Sequence, residues 1–336
     1  MDSLELETVR CCPICGSDER CLFYGGLRDE LFQVPGVWSL HRCLECQAAY
    51  LDPRPARQSV GLIYENYYTH ASSPPAMRPQ SRTGRIGRWK ERLRNGYLSE
   101  RFGLPLSPRF KFAGAVVPLL FPRHRIAFDT SVRHLPLPQL GARLLDVGCG
   151  GGDFLASARS VGWDVTGIEI DPVAAAIAAA QGIPVIGKPL ADAGLAAASF
   201  DAVTMNHVIE HLHDPRAALA EIHRILKPDG LLWLSTPNVD SPLRRQLGRI
   251  WRGFEAPRHL VLFGMKALRK VIRDSGFTRL SWPRTYPLTR WMFAASPNPA
   301  RGTEIHLRLL EVGSILTQRL SEQLVVLAMK PSESRR

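Results

Sequence analysis

A glycine-rich segment in the middle of the chain constrains the fold more than any other feature. An apolar run at 144–147 breaks into closely spaced glycines and resumes as a second apolar stretch at 154–158. Such a sequence predicts a buried strand, a tight turn and a helix. Glycine in the turn allows the backbone to approach a ligand closely. A further apolar stretch at 165–171, which contains Glu169, predicts the next strand.

The spacing of these glycines differs from the dinucleotide fingerprint G-x-G-x-x-G. Asp153 occupies its third glycine position, and Asp146 precedes the glycines. This pattern, closed by Glu169, resembles the glycine motif and acidic strand end of class I S-adenosylmethionine-dependent methyltransferases. S-adenosylmethionine offers a ribose diol to Glu169 and has no pyrophosphate that needs a helix N-terminus. The alternative is a glycine turn in another doubly wound protein. The resemblance implies that the cofactor-binding residues are Asp146, Gly148, Gly150, Gly152, Glu169, Ile170, Asp192 and Asn206.

From Arg143 onward, predicted strands and helices alternate at the spacing of βαβ units. The resemblance covers about 190 residues and implies an α/β, Rossmann-like, seven-stranded methyltransferase core. We predict strands at 143–147, 165–169, 184–186, 200–205, 231–238 and 323–328, and helices at 152–160, at 172–181 and from Pro215.

The chain of 336 residues is long enough for roughly two domains. Composition and motifs predict three regions. Residues 1–55 form a zinc-ribbon-like module, 56–140 a basic linker and helical arm, and 141–336 the methyltransferase domain with an insertion at about 283–320.

Two C-x-x-C pairs define the N-terminal module. Cys12 and Cys15 form the first pair, Cys43 and Cys46 the second, and twenty-seven residues separate the pairs. Each short loop directs two sulfurs to one ion, so the four cysteines predict a structural zinc site. Free thiols are the alternative.

Positive charge is concentrated in the predicted arm. Of the formal net charge of +12, residues 78–133 contribute about +10, from thirteen Lys or Arg and three acids. Such a segment is suited to peripheral contact with an anionic membrane surface or to binding nucleic acid phosphates. The other alternative is a solvated helix without a partner. The first residues are acidic, and the longest apolar run, 113–122, is too short to span a bilayer. We therefore expect a cytoplasmic protein, peripheral at the inner membrane face.

The catalytic groups are expected beyond the carboxyl end of the strand at 200–205. His207, Glu210 and His211 are spaced i, i+3 and i+4, which would place them on one face of a helix. An imidazole titrates near neutral pH, so His211 is the first candidate base, Glu210 its orienting partner, and His259 the reserve base. A purely structural turn is one alternative. Another is a zinc peptidase, since 207–211 match H-x-x-E-H, but that would leave the glycines unexplained.

Two further segments narrow the resemblance. Residues 207–215 (HVIEHLHDP) and 254–263 (FEAPRHLVLF) are similar to bacterial glycan, secondary-metabolite and ubiquinone-biosynthesis methyltransferases. The resemblance implies a small-molecule or lipid-linked glycan acceptor, methylated on a sugar or phenolic hydroxyl. At the position of His207 the quinone enzymes have a glutamate. Whether this chain uses a metal ion in catalysis is therefore left open. The alternatives are an RNA methyltransferase, with nucleic acid as the partner, and a non-catalytic cofactor-binding module.

Overall fold

The computed structural model describes residues 4–64, 84–297 and 304–332. The start of the predicted basic arm, 78–83, lies outside these ranges. The chain divides into two compact units that are discontinuous in sequence. The first comprises Met1–Tyr67, Met205–Arg224 and Leu234–Arg336, and the second Tyr68–Thr204 and Ile225–Trp233. The domain boundaries near residues 55 and 140 stay a prediction.

The N-terminal part of the first unit is a small antiparallel sheet. Its elements are β1 (Leu6–Glu7), β2 (Arg20–Leu27), β3 (Trp38–Cys43), β4 (Ala49–Leu51), β5 (Arg54–Pro55) and helix α1 (Val60–Tyr64). Strands β2, β3 and β4 pair in that order, and β1 pairs with β5. Trp38, Leu40 and Tyr50 are buried on this small scaffold.

The second unit begins with three helices of the basic arm: α2 (Arg85–Phe102), α3 (Ala113–Leu120) and α4 (Pro122–Ser131). Leu93, Tyr97 and Val117 form the centre of their small core. Gly96 permits the close approach of α2 to the start of α3, since a Cβ there would lie 2.2 Å from the Phe110 carbonyl oxygen.

The βαβ units follow as β6 (Arg143–Val147), α5 (Asp153–Ser160), β7 (Asp164–Ile168), α6 (Pro172–Ala180), β8 (Val185–Ile186) and β9 (Phe200–Asn206). Strands β6, β7 and β8 are parallel. Four of the five residues of β6 are buried, which explains its continuous apolar run. Leu144, Leu155 and Trp163 belong to the core of this unit.

The rest of the chain contains α7 (Pro215–Ile225), β10 (Leu226–Pro237), α8 (Pro242–Leu247), β11 (Val261–Leu262), α9 (Met265–Asp274), β12 (Thr278–Ser281), α10 (Thr289–Ala295), α11 (Glu304–Leu316) and β13 (Gln323–Met329). The order β12-β13-β10-β9-β6-β7-β8 confirms the predicted seven-stranded, mostly parallel sheet. Strand β11 was not predicted, and it pairs antiparallel with β4 in the N-terminal sheet. Of the helices in the described ranges, none has both the length and the apolar character needed to cross a membrane.

Candidate active site

The glycine turn closes over the end of β7. The amides of Gly148 and Cys149 both donate to the Ile168 carbonyl oxygen, at 2.8 and 3.0 Å. Gly148, Gly150 and Gly152 all have positive φ, between 54° and 85°. A Cβ on Gly150 would meet no heavy atom within 4 Å, so the turn has open space beside it. This exposed backbone suits close approach by a ligand.

Glu169 is held rigidly at the edge of this turn. Its Oε2 accepts a hydrogen bond from the Gly150 amide at 2.8 Å, and its Oε1 accepts one from the Asp171 amide at 3.0 Å. Burial raises the pKa of Glu169, although both amides oppose that effect. A carboxylate has about four lone-pair sites, so two remain for a diol. Ile170, next in the chain, is 59% exposed and offers an apolar surface beside the carboxylate.

Asp146 lies fully buried beneath the turn. Its Oδ1 accepts hydrogen bonds from the Arg133 guanidinium and from Thr204 Oγ1. Its Oδ2 has no hydrogen-bond partner among the described residues. Burial raises the pKa of this carboxyl, and the charge of Arg133 opposes that shift. A buried acceptor of this kind fits a donor group on a bound cofactor.

Arg133 is a site residue that sequence reasoning missed, because it counted only as part of the basic arm. Its guanidinium carbon stacks 3.7 Å from the Phe154 ring centroid and 5.5 Å from that of Trp233. Cation–π contacts and the ion pair with Asp146 thus fix the arginine from several sides. A lone arginine ten or more residues before a strand carries no sequence signal for such a role.

The remaining predicted cofactor residues are Asp192 and Asn206. Asp192 is exposed at the end of a short 3-10 turn, Leu190–Asp192. Asn206 is exposed at the end of β9, and its Oδ1 accepts a 2.6 Å hydrogen bond from Ser235 Oγ. Both are accessible to a ligand, and their cofactor contacts stay a prediction.

A buried carboxylate organises the predicted catalytic segment in the first unit. Glu210 is fully buried. Its Oε1 lies 3.1 Å from His207 Nδ1, and its Oε2 accepts a 3.0 Å hydrogen bond from Thr236 Oγ1. Burial alone would raise the pKa of Glu210, but the contacts with His207 and the neighbouring imidazoles lower it to about 2. Glu210 is therefore an anionic anchor rather than a proton acceptor.

The backbone conformation of this segment differs from the helix that we considered. Only Ile209–His211 form a single 3-10 turn, and His207 has a φ of 53°. The prediction that three side chains share a helical face is therefore wrong in its geometry. The sharp exit from β9 nevertheless brings His207 against Glu210.

His211 is oriented through one ring nitrogen. Its Nδ1 lies 3.1 Å from the carbonyl oxygen of Arg258 and 2.8 Å from the hydroxyl oxygen of Tyr64. The Arg258 carbonyl oxygen only accepts hydrogen bonds and so favours a hydrogen on Nδ1, whereas the Tyr64 hydroxyl can either donate to Nδ1 or accept from it. With the hydrogen on Nδ1, Nε2 of His211 is a proton acceptor.

His259 packs beside His211, with ring centroids 4.7 Å apart. Its Nδ1 donates a 2.8 Å hydrogen bond to the Gly253 carbonyl oxygen. Burial lowers the pKa of His259 to about 4, which leaves the ring neutral at pH 7. Donor atoms of Glu210, His211 and His259 lie within 4.8 Å of one another, so this group can also hold a metal ion.

Residues near the N-terminus complete this cluster. Arg258 is fully buried, and its Nη2 lies 2.8 Å from Asp29 Oδ1. Its Nη1 donates to the Ile63 carbonyl oxygen at 3.3 Å. Sequence reasoning missed Asp29 and the contact of Tyr64 with His211, because no local pattern links positions about 150 to 230 residues apart.

The four predicted zinc ligands come together. Sulfur atoms of Cys12, Cys15, Cys43 and Cys46 all lie within 4.8 Å of one another. Two sulfur pairs are 3.5 Å apart, and the amides of Ile14 and Cys46 point at ligand sulfurs, also at 3.5 Å. This arrangement suits a tetrahedral zinc site, whose sulfurs bind at about 2.3 Å. The zinc itself stays a proposal.

Comparison with known proteins identifies the central region. Residues 122–281 match a family model described as "Methyltransferase domain". A ubiquinone biosynthesis O-methyltransferase of Xanthomonas oryzae pv. oryzae is 42% identical over 105 residues, which cover 29% of this chain and 44% of that protein. A namesake from Cereibacter sphaeroides is 40% identical over 109 residues, or 31% of this chain and 44% of that protein. The chain thus spans less than half the length of these relatives.

Solved methyltransferase structures are similar at lower identity. A SAM-dependent methyltransferase from Archaeoglobus fulgidus is 19% identical with a TM-score of 0.46, covering 62% of this chain and 93% of that one. The family match at 122–281 coincides with the glycine turn and most of the seven-stranded sheet. These matches support a methyltransferase domain of the class I, S-adenosylmethionine-dependent type within residues 122–281.

Proposed function

We propose that this protein transfers a methyl group from S-adenosylmethionine to a small-molecule acceptor. The proposed nucleophile is a sugar or phenolic hydroxyl, on a free or lipid-linked biosynthetic intermediate. The names of the ubiquinone O-methyltransferase relatives support hydroxyl methylation. The observation that carries the proposal is the placement of His211, whose Nδ1 is held by the Arg258 carbonyl oxygen and the Tyr64 hydroxyl, so that Nε2 is the ring nitrogen left for an acceptor.

The cofactor residues have complementary roles in this proposal. Glu169 would bind the ribose hydroxyls through its two remaining lone-pair sites, and Gly150 would let the cofactor approach the backbone. Ile170 would cover the adenine ring, and Oδ2 of Asp146 would accept a donor from the cofactor. Backbone hydrogen bonds and an ion pair already fix these groups, so binding the cofactor costs little conformational entropy.

The protein's own chemical task is proton removal and alignment. Bound S-adenosylmethionine supplies a methyl group on a sulfonium, and the electron pair of the broken S–C bond stays on sulfur. Nε2 of His211 would take the hydroxyl proton as the acceptor oxygen forms the new C–O bond. The Arg258 carbonyl group fixes the ring, and the anionic Glu210 favours the imidazolium that results. His259, with its pKa lowered to about 4, is a weaker base at neutral pH.

Replacing Glu169 by alanine tests cofactor binding. We expect S-adenosylhomocysteine to bind the wild-type chain and to bind Glu169→Ala about 10- to 100-fold more weakly, since hydrogen bonds to a charged group contribute about 1.5–3 kcal/mol each. Isothermal calorimetry measures both affinities. Asp164→Ala, which removes an exposed carboxylate from the other end of β7, is the matched control. Absence of binding to the wild-type chain, or equal affinity in Glu169→Ala, would refute the proposed function.

We also propose a peripheral contact between an anionic membrane and the arm within 78–133. Phe112, Val116, Leu119 and Leu120 are exposed along one side of α3, at 75%, 36%, 80% and 69%. Exposed Arg109, Lys111, Arg123 and Arg125 flank this stripe. Apolar side chains beside cations suit insertion between anionic headgroups. The contact would place the protein at the inner membrane face, where lipid-linked acceptors occur.

Vesicle sedimentation tests this contact. We expect binding to phosphatidylglycerol vesicles but not to phosphatidylcholine vesicles, and about tenfold weaker binding for Leu119→Ser, because a buried leucine contributes about 1.5–3 kcal/mol. Leu140→Ser removes an exposed leucine outside the stripe and should bind as the wild type does. Equal binding to both lipids, or an equal loss in both variants, would contradict the contact.

A further inference from the structure

A cleft lined by cations lies apart from the residues assigned above. It has a volume of about 850 Å³ and is formed in the first unit by the segment after β10, by α9 and by the turn before β13. Six basic side chains line this basic cleft: Arg245, Lys266, Arg269, Lys270, Arg273 and Arg319. The sequence motifs gave no indication of it, because the six residues come from three separate segments.

Helix α9 explains why four of these cations share one surface. Ala267, Leu268, Val271 and Ile272 are fully buried and fix one face of the helix in the core. The cations occupy the opposite face at i, i+3, i+4 and i+7. Four cations on one face of a helix repel one another, which is unfavourable. Packing of the apolar face explains the orientation of α9 but not why its other face carries four positive charges.

The two acids of the basic cleft do not neutralise it. Asp240 pairs at 2.6 Å with Arg42, which is not a lining residue. Asp274 pairs at 3.0 Å with Lys270. Within the described part of the chain, Arg245, Arg273 and Arg319 contact no carboxylate. Several cations therefore remain available to an anion.

The other two cations are positioned by uncharged groups. Lys266 Nζ donates a 2.6 Å hydrogen bond to the Glu45 carbonyl oxygen, which leaves two of its three donors. The guanidinium carbon of Arg269 lies 5.7 Å from the Trp282 ring centroid. These uncharged partners pair neither cation with a negative charge, and they restrict its orientation, which lowers the entropy cost of binding an anion.

We propose that the basic cleft binds the diphosphate group of a small molecule. Guanidinium groups bind phosphoryl oxygens through paired hydrogen bonds, and a diphosphate presents enough oxygens for several arginines at once. The volume of about 850 Å³ falls within the range of about 300–1,000 Å³ that is usual for small-molecule sites. A long polyanion would instead require a continuous basic track. The inference goes beyond the proposed methyl transfer, since it needs no methyl donor.

Calorimetric titration of the full-length chain with pyrophosphate tests the site. We expect one pyrophosphate per chain, bound more tightly than sulfate, and about tenfold or greater weakening in Arg273→Ala and in Arg319→Ala. Arg216→Ala removes an exposed arginine from α7, outside the cleft, and should bind as the wild type does. Melting curves of all three variants verify that each is folded.

Uridine diphosphate and farnesyl diphosphate distinguish a nucleotide source from a lipid source. Tighter binding of either one than of pyrophosphate supports the site and identifies the source, and equal binding supports recognition of the diphosphate alone. Affinity for pyrophosphate no greater than for sulfate would overturn the proposal, as would equal weakening in Arg216→Ala. Tighter binding of single-stranded RNA than of any diphosphate, lost in Arg273→Ala, would also overturn it in favour of nucleic acid. These titrations leave cofactor binding untouched, so failure here is distinct from failure of the proposed function.

Discussion

Removal of zinc from the four-cysteine cluster is expected to unfold the N-terminal sheet, with a loss on the order of 10 kcal/mol of stabilisation. Cys43 and Cys46 are fully buried, and Cys12 is nearly so. Four sulfurs within 4.8 Å of one another, three of them on buried cysteines, cannot all be thiolates without a cation between them. A module of about fifty residues rarely gains enough stability from its core alone, so we expect it to depend on the metal.

Metal analysis and thermal melting test this expectation. The purified chain should contain one equivalent of zinc, and a chelator should abolish the first melting transition. Cys43→Ser should behave like the chelated protein, whereas Cys21→Ser, which changes an exposed cysteine on β2, should melt like the wild type. Well under one equivalent of zinc, together with an unchanged melting curve in chelator, would disprove a structural zinc.

Loss of this metal should also impair the catalytic cluster. Strand β4 of the N-terminal sheet pairs with β11. Arg258, whose carbonyl oxygen contacts His211, forms an ion pair with Asp29. Tyr64 contacts His211 directly. Unfolding of the N-terminal sheet therefore removes groups that orient His211, and we expect chelated protein to lose methyl transfer even where it still binds S-adenosylhomocysteine.

Replacing His211 by alanine is expected to reduce kcat about 10²- to 10⁴-fold, the usual contribution of a general base. Affinity for S-adenosylhomocysteine should not change, because none of the proposed cofactor contacts involves His211. Steady-state kinetics with a phenolic or sugar acceptor measure the first effect, and calorimetry measures the second. His306→Ala, which removes an exposed histidine from α11, is the control.

Two results would reassign the chemistry. Unchanged turnover in His211→Ala would exclude His211 as the base and direct attention to His259. Loss of activity in a chelator that leaves the N-terminal zinc in place, restored by a divalent cation, would make Glu210, His211 and His259 metal ligands instead. Their donor atoms lie close enough for either role, and only the metal dependence separates them.

The inner strands of the central sheet, such as β6, β9 and β13, were predictable because they are buried on both faces. The predicted bounds of β6 were correct, and β7 and β9 differ from prediction by one residue. Gly141 and Gly148 flank the apolar run of β6, and Gly162 precedes that of β7, so the local sequence marks these ends. Strand β10 begins five residues earlier than predicted, at Leu226, and so includes residues 227–230, where Asp229 has a φ of 57°.

The geometry of the catalytic cluster was less predictable. The spacing i, i+3 and i+4 would place His207, Glu210 and His211 on one face of a helix, but spacing does not determine backbone dihedrals. The orientation of His211 depends on Tyr64 and Arg258, which approach only through tertiary folding. Sequence reasoning therefore named the candidate groups, whose roles stay a prediction, whereas the contacts that orient His211 required the structure.

The pairing of Arg133 with Asp146 restricts how these two positions can change during evolution. Removal of one partner from a buried pair strands a charge and costs about 3–5 kcal/mol, whereas joint replacement by apolar residues is often neutral. Joint replacement would also remove Oδ2 of Asp146, the acceptor that we assign to the cofactor. A single substitution would therefore lower the stability of the fold, and a paired substitution would weaken cofactor binding. We expect the two residues to be retained together.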